Sequence, residues 1–294
     1  MLPSLPAWQF EPPVFAGVAL SLLVYLWLWR RSAGNRYRAP WPRLRTASFL
    51  GGELVVLLGL LSPLDGLASF LFVAHMLQHM LLLVVAPPLL LLGLPVRAIL
   101  RAFPRPVRHL VIRPLARGRW LHRVGVLIFQ PVSVFVLFNG VLGFWHVPAI
   151  YALATHTESV HVLEHLSFLF AGCLLWWLIV EPLRVWPRGA ALSKIIFVAL
   201  CHLPMLLLGQ FFLAFAAVPL YVFNQAGEAA WGLTPLTDQR LGGGIMFGMD
   251  MLVTFTTVSV LFGHHLAALE RRQVALDELL AQRDLTSNPP GPRG

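Results

Sequence analysis

Long apolar runs dominate the chain and restrict it to one kind of fold. Seven of them, at about 14–30, 47–62, 69–92, 124–147, 158–180, 193–217 and 243–265, are close to the roughly 20 residues that a helix needs to cross a hydrocarbon layer. That layer holds no water, so each backbone N–H and C=O must be satisfied inside its own segment. The runs are too long for barrel strands, and they predict α-helices. Pro87, Pro88 and Pro204 fall within runs and predict local kinks or breaks, because proline lacks the N–H that an interior turn uses. The expected fold is all-α: a polytopic membrane bundle of about seven transmembrane helices over 1–266, then a charged tail over 267–294. The tail ends, from 285 on, in a composition typical of disorder.

Charge placement orients the bundle. Only 12% of residues are charged against 57% hydrophobic, too little polar surface for a soluble domain of 294 residues. The net charge of +9 would suggest nucleic acid in a soluble protein. Here all but Arg240 of the 22 Lys and Arg lie in alternate connections, at 30–47, 95–123 and 184–194, and in the tail. This is a topogenic pattern, and it predicts the N-terminus outside and the C-terminus in the cytoplasm. The basic, proline-rich stretch 95–123 is expected to lie on the anionic inner leaflet of the lipid bilayer. The first run carries Glu11 before it and no basic segment, which predicts a retained helix and not a cleaved leader. Cys173 and Cys201 sit inside apolar runs and form neither a disulfide framework nor a CxxC motif.

Depth then sorts the histidines. His109, His122, His264 and His265 fall on the inner side, and His202 falls near the middle of the sixth run. His75, His79, His146, His156, His161 and His165 fall on the outer side. His75 and His79 in H-M-L-Q-H-M are four apart, as are His161 and His165 in H-V-L-E-H, so each pair shares one helix face. Such a pair can chelate one metal, and two pairs on neighbouring helices would complete a four-ligand site. Met76 and Met80 offer soft sulfur, which favours copper and particularly Cu(I). Glu164 stands beside the second pair. Asp250, inside the last run, is an ionisable group at a costly depth and marks either a site or a buried pairing. Cys201, His202 and Met205 lie close enough in sequence for a mid-membrane soft site. No GxSxG, P-loop or HExxH motif is present, and the chain is expected not to be an enzyme.

Several strings carry a resemblance. S-P-L-D at 62–65, H-M-L-Q-H-M followed by A-P-P at 75–88, F-N-G-V-L-G-F-W-H-V-P-A-I-Y at 138–151, H-V-L-E-H at 161–165 and D-Q-R-L-G-G-G at 238–244 resemble the caa3-type cytochrome c oxidase assembly factors of bacteria. The resemblance runs from about 50 to 265. It implies a multi-pass protein of the bacterial plasma membrane that helps to form a copper centre of a haem–copper oxidase. The characteristic positions fall on Asp65, His75, His79, His146, His161, His165 and Asp238.

The combined expectation is a copper site facing outward. His75, His79, His161 and His165 would be the primary ligands, with His146 as a fifth ligand or supporting partner. Met76 and Met80 would handle Cu(I), and Asp65 and Asp238 would hold the imidazole tautomers. Copper would pass to an oxidase subunit or an extracytoplasmic copper chaperone, with no nucleic-acid partner. The competing expectations are a haem- or quinone-binding redox protein, a copper permease using His202, Cys201 and Met205, and a metal-free assembly scaffold.

Overall fold

The computed structural model describes residues 12–33, 43–93, 119–180, 190–221 and 225–287. The regular elements among them are all helical. They are α1 (Pro12–Ala33), α2 (Arg43–Leu60), α3 (Pro63–Ala68), α4 (Phe72–Met80), α5 (Ala86–Gly93), α6 (Arg119–Ile128) and α7 (Pro131–Trp145). Then come α8 (Pro148–His156), α9 (Glu158–Val180), α10 (Ala191–Gln210), α11 (Gln225–Ala230) and α12 (Pro235–Ser287). Five stretches are long and apolar enough to cross a membrane: Pro12–Arg30, Phe72–Gly93, Glu158–Val180, Ala191–Phe215 and Pro235–Leu280. The bent pair α7 and α8 would make a sixth. The expected second span falls in α2, which carries Arg43, Arg45 and Glu53 within its 18 residues. The tail end at 288–294 and most of the basic stretch 95–123 lie outside the described residues.

Proline chemistry explains most of the breaks. The run read as one span at 124–147 is instead divided at Gln130 and followed by a 73° bend at Val147. Each of these residues precedes a proline and is extended (φ −73°, ψ 141° at Gln130; φ −71°, ψ 123° at Val147). The proline ring crowds the preceding residue out of the helical region and then opens a new helix at its first position. The Pro87–Pro88 pair acts upstream. Residues Leu81–Val85 form a π-helical turn, closed by the Ala86 N–H on the Leu81 carbonyl. The Leu83 carbonyl meets a proline at both the four- and the five-residue spacing, so neither can donate to it. Gly172 of α9 lies against that carbonyl so closely that a Cβ there would be 2.3 Å from it. Only glycine permits this approach, and its Cα–H faces the stranded oxygen. Pro204, by contrast, sits within an unbroken α10.

α12 differs most from expectation. It starts at Pro235, so Asp238, Arg240 and the glycine run belong to a helix and not to the connection between the runs at 193–217 and 243–265. It continues through the expected boundary near 265 to Ser287. The glycines seat it: a Cβ at Gly243 would lie 2.7 Å from the Leu213 nitrogen, and one at Gly209 would lie 2.8 Å from the Phe247 nitrogen. Backbones in contact are how helices associate where lipid offers no hydrophobic drive. The core around these contacts includes Phe72, Met76, Met80, Phe138, Phe168, Leu175, Met205, Phe212 and Met246.

Candidate metal centre

The H-M-L-Q-H-M string gives each side chain a different neighbour. His75 and His79 face α9, and their rings are 4.2 Å apart. Gln78 faces the other way, where its Nε2 donates to the Gly59 carbonyl at 2.8 Å and to Asp65 Oδ1 at 2.6 Å. Met76 faces α12, against Gly242, whose Cβ would lie 3.2 Å from the Met76 Cγ. Met76 and Met80 are both packed into the core.

α9 presents the complementary face. The His161 and His165 rings are 4.2 Å apart. His161 stacks on His75 at 5.2 Å and 17°, and His165 meets His79 at 5.3 Å. His75 and His165 are 6.4 Å apart, so the two pairs converge on one place. Glu164, three residues after His161, points into the same place. Its carboxylate oxygens are 3.8 Å from His75 Nε2 and 3.6 Å from His79 Nε2. One ligand atom each from His75, His79, His161 and Glu164 all lie within 4.8 Å of one another. Ligands on a tetrahedral ion with bonds of about 2.1 Å stand about 3.4 Å apart, so small side-chain movements would close the set. His165 borders it.

The cluster is largely enclosed by protein. His75, His79, Glu164 and His165 are buried, while His161 is half-buried and marks the open side. Both Glu164 oxygens, both His79 nitrogens and the Nε2 atoms of His161 and His165 lack hydrogen-bond partners. A buried carboxylate without hydrogen-bond donors is costly, and a cation held between it and the imidazoles would relieve that cost. Phe168 covers His79 at 4.5 Å and Tyr151 covers His75 at 5.4 Å. Trp145 Nε1 donates to Ser167 Oγ at 2.7 Å and Ser167 Oγ to the Glu164 carbonyl at 2.8 Å, which ties α7 to the site.

Other expected residues take different positions. His146 ends α7, and its Nδ1 lies 2.7 Å from the Leu142 carbonyl. A carbonyl only accepts, so Nδ1 carries the proton and Nε2 is left with a lone pair and no partner. His146 is outside the four-residue group. The hydrogen bonds of Asp65 and Asp238 among the described residues go to groups other than the imidazoles. Asp65 accepts from Gln78, at the start of a helix that Ser62 caps through the Leu64 N–H at 3.2 Å. Asp238 accepts the Phe72 N–H at 2.6 Å and the Val73 N–H at 3.0 Å, capping from α12 the helix that carries His75 and His79. Gln239 accepts the Leu220 N–H at 2.6 Å and the Tyr221 N–H at 3.2 Å. The D-Q-R-L-G-G-G string is thus a latch that positions the site without entering it.

Asp250 pairs with His202 Nδ1 at 2.5 Å, fully buried between α12 and α10. Cys201 and Met205 are buried nearby in α10, and no metal-ligating group of three forms with His202 among the described residues. Met246 is buried and Met251 is exposed. His156 is exposed at the end of α8, and His264 is exposed on α12.

Asp65 lies outside the apolar spans, and burial raises its carboxyl above the ordinary value, with the Gln78 hydrogen bond pulling the other way. A raised folded-state value means that protonation favours the fold. Its stabilising contribution is complete below the ordinary carboxyl range and is lost as pH rises through the raised value. Asp65→Asn keeps an acceptor for Gln78 and cannot ionise. Thermal unfolding followed against pH should therefore be flatter across that window than in the wild type. An unchanged pH profile would count against this role for Asp65.

The chain is 25% identical over 290 residues to the uncharacterised protein Mb0105 of Mycobacterium bovis and, likewise, to the uncharacterised protein MT0111 of Mycobacterium tuberculosis. It is 24% identical over 294 residues to the uncharacterised protein ML1998 of Mycobacterium leprae. Each alignment covers 95% of this chain but only 42–43% of the relative, so the chain spans less than half the length of these proteins. No solved structure matches. The family model for the cytochrome c oxidase caa3 assembly factor matches residues 23–268, and the chain belongs to that family.

Proposed function

We propose that this protein holds a copper ion as cargo between α4 and α9 and hands it to a cytochrome c oxidase in assembly. The observation that carries this reading is the convergence of His75, His79, His161 and Glu164 from two helices into one buried cluster. Three imidazoles and a carboxylate suit Cu(II) among other borderline cations, and membership of an oxidase assembly family favours copper. Met76 packs against Gly242 of α12, and the donors of the four-residue group are imidazole nitrogen and carboxylate oxygen. The half-buried His161 gives the ion a way in and out.

The reading includes seven spans in the plasma membrane, with α2 as the second and α7–α8 as a bent fourth, and with the N-terminus outside. The arginine distribution supports that orientation. The recipient is an oxidase subunit or an extracytoplasmic copper chaperone. The role is binding and transfer, not catalysis.

Metal analysis with a visible spectrum on detergent-purified protein tests the reading. Copper near one ion per chain, lost in His75→Gln/His79→Gln and without a Soret band, is the expected result. A Soret band would instead indicate haem. No metal after reconstitution with copper, and no band, would leave a metal-free scaffold as the better account.

A further inference from the structure

We propose that the end of α12 beyond the bundle is a coiled-coil helix that pairs in parallel with the same helix of a second copy of this chain. At about 1.5 Å per residue the 53 residues of α12 reach about 80 Å, more than twice the thickness of a hydrocarbon layer. The stretch from 270 to 284 carries Glu270, Arg271, Arg272, Asp277, Glu278, Arg283 and Asp284, so it cannot lie in lipid. Residues 269–280 are exposed on every side. A solitary helix of this length is marginal in water without a partner for its apolar side.

The apolar side has a defined period. Leu266, Leu269, Gln273, Leu276 and Leu280 follow one another at steps of three, four, three and four. This is the a and d pattern of a heptad, with leucine at both d positions and one polar residue, Gln273, at an a position. The four leucines are each 46–58% exposed.

Charge selects the partner. In this frame His265 and Arg272 take g positions, and Glu270 and Asp277 take e positions. In a parallel pair each g residue faces the e residue five places on in the other chain. Arg272 would then face Asp277 of the second copy, and His265 would face Glu270. In an antiparallel pair acid would face acid and base would face base. Copies inserted by the same arginine-rich loops share one orientation, so only the parallel pair is open to them. Confinement to a membrane also raises the effective concentration of the two helices.

The test uses the full chain in native membranes, with Cys173→Ala and Cys201→Ala to remove the native thiols. Single cysteines are then placed by Leu269→Cys, Leu276→Cys, Arg271→Cys or Glu278→Cys and treated with a short thiol-reactive cross-linker. A covalent dimer of this chain is expected as the main product at the two leucine positions, with little at the outward-facing Arg271 and Glu278. Leu269→Glu/Leu276→Glu should be monomeric in detergent while keeping the wild-type copper content, because this helix lies apart from the histidine cluster. Absence of a dimer at both leucine positions, equal yields at all four positions, or a product with a different protein would each overturn the proposal. None of these outcomes depends on whether copper binds.

Discussion

Glu164→Gln is expected to weaken copper retention by about 100-fold or more while leaving the empty protein at least as heat-stable as the wild type. The carboxylate is buried with both oxygens lacking hydrogen-bond donors, 3.6–3.8 Å from two imidazole nitrogens. Without an ion, such a group costs the fold desolvation energy that no hydrogen bond returns. With a cation among the imidazoles it supplies the only negative charge of the four-ligand set. Glutamine keeps the shape and removes the charge, so it separates the two roles. Equilibrium competition against a copper chelator measures the first, and thermal unfolding of metal-free protein measures the second. A variant that keeps wild-type copper affinity would exclude Glu164 as a ligand. A variant with a lowered unfolding midpoint in the metal-free state would show that the carboxylate stabilises the fold by contacts of its own.

Asp238→Ala should destabilise the protein by about 2–4 kcal/mol and lower copper occupancy although it touches no ligand. The change orphans the Phe72 and Val73 N–H groups at the start of α4, in an apolar setting where water cannot replace the lost acceptor. Phe72 is 1% exposed and packs against Tyr221 at 5.1 Å, so the helix end has no room to fray outward. If the first turn of α4 loosens, His75 at its fourth residue moves with it. Asp238→Asn retains one acceptor oxygen and should fall between alanine and wild type in both measurements. Equal loss of copper in Asp238→Asn and Asp238→Ala at unchanged stability would mean that the aspartate acts on the metal directly. Wild-type behaviour of the alanine variant would remove the latch from the account.

These variants also separate what could be read along the chain from what could not. The helical class followed from the length of the apolar runs, because only helices satisfy their backbone locally in lipid. The pairing of His75 with His79 and of His161 with His165 followed from helical periodicity alone. Glu164 was open to the same reasoning. At three residues after His161 it lies on that face. The breaks at Gln130 and Val147 were open to the same reasoning, since each precedes a proline, Pro131 inside the run at 124–147 and Pro148 just past its end.

Contacts between distant segments were not legible. Nothing local says that Met76 faces Gly242 or that Asp65 serves Gln78. Nothing local says that Asp238 caps a helix 166 positions earlier in the chain. Hydrophobic periodicity separates a packed face from an exposed one in water, but in a membrane helix the faces toward lipid and toward protein are both apolar. The amino-acid order therefore determined the helical class and which histidines share a face. Packing decided which faces meet, because in lipid that choice rests on close backbone approach at Gly172, Gly209 and Gly243 and on a few buried hydrogen bonds, none of which leaves a periodic signal.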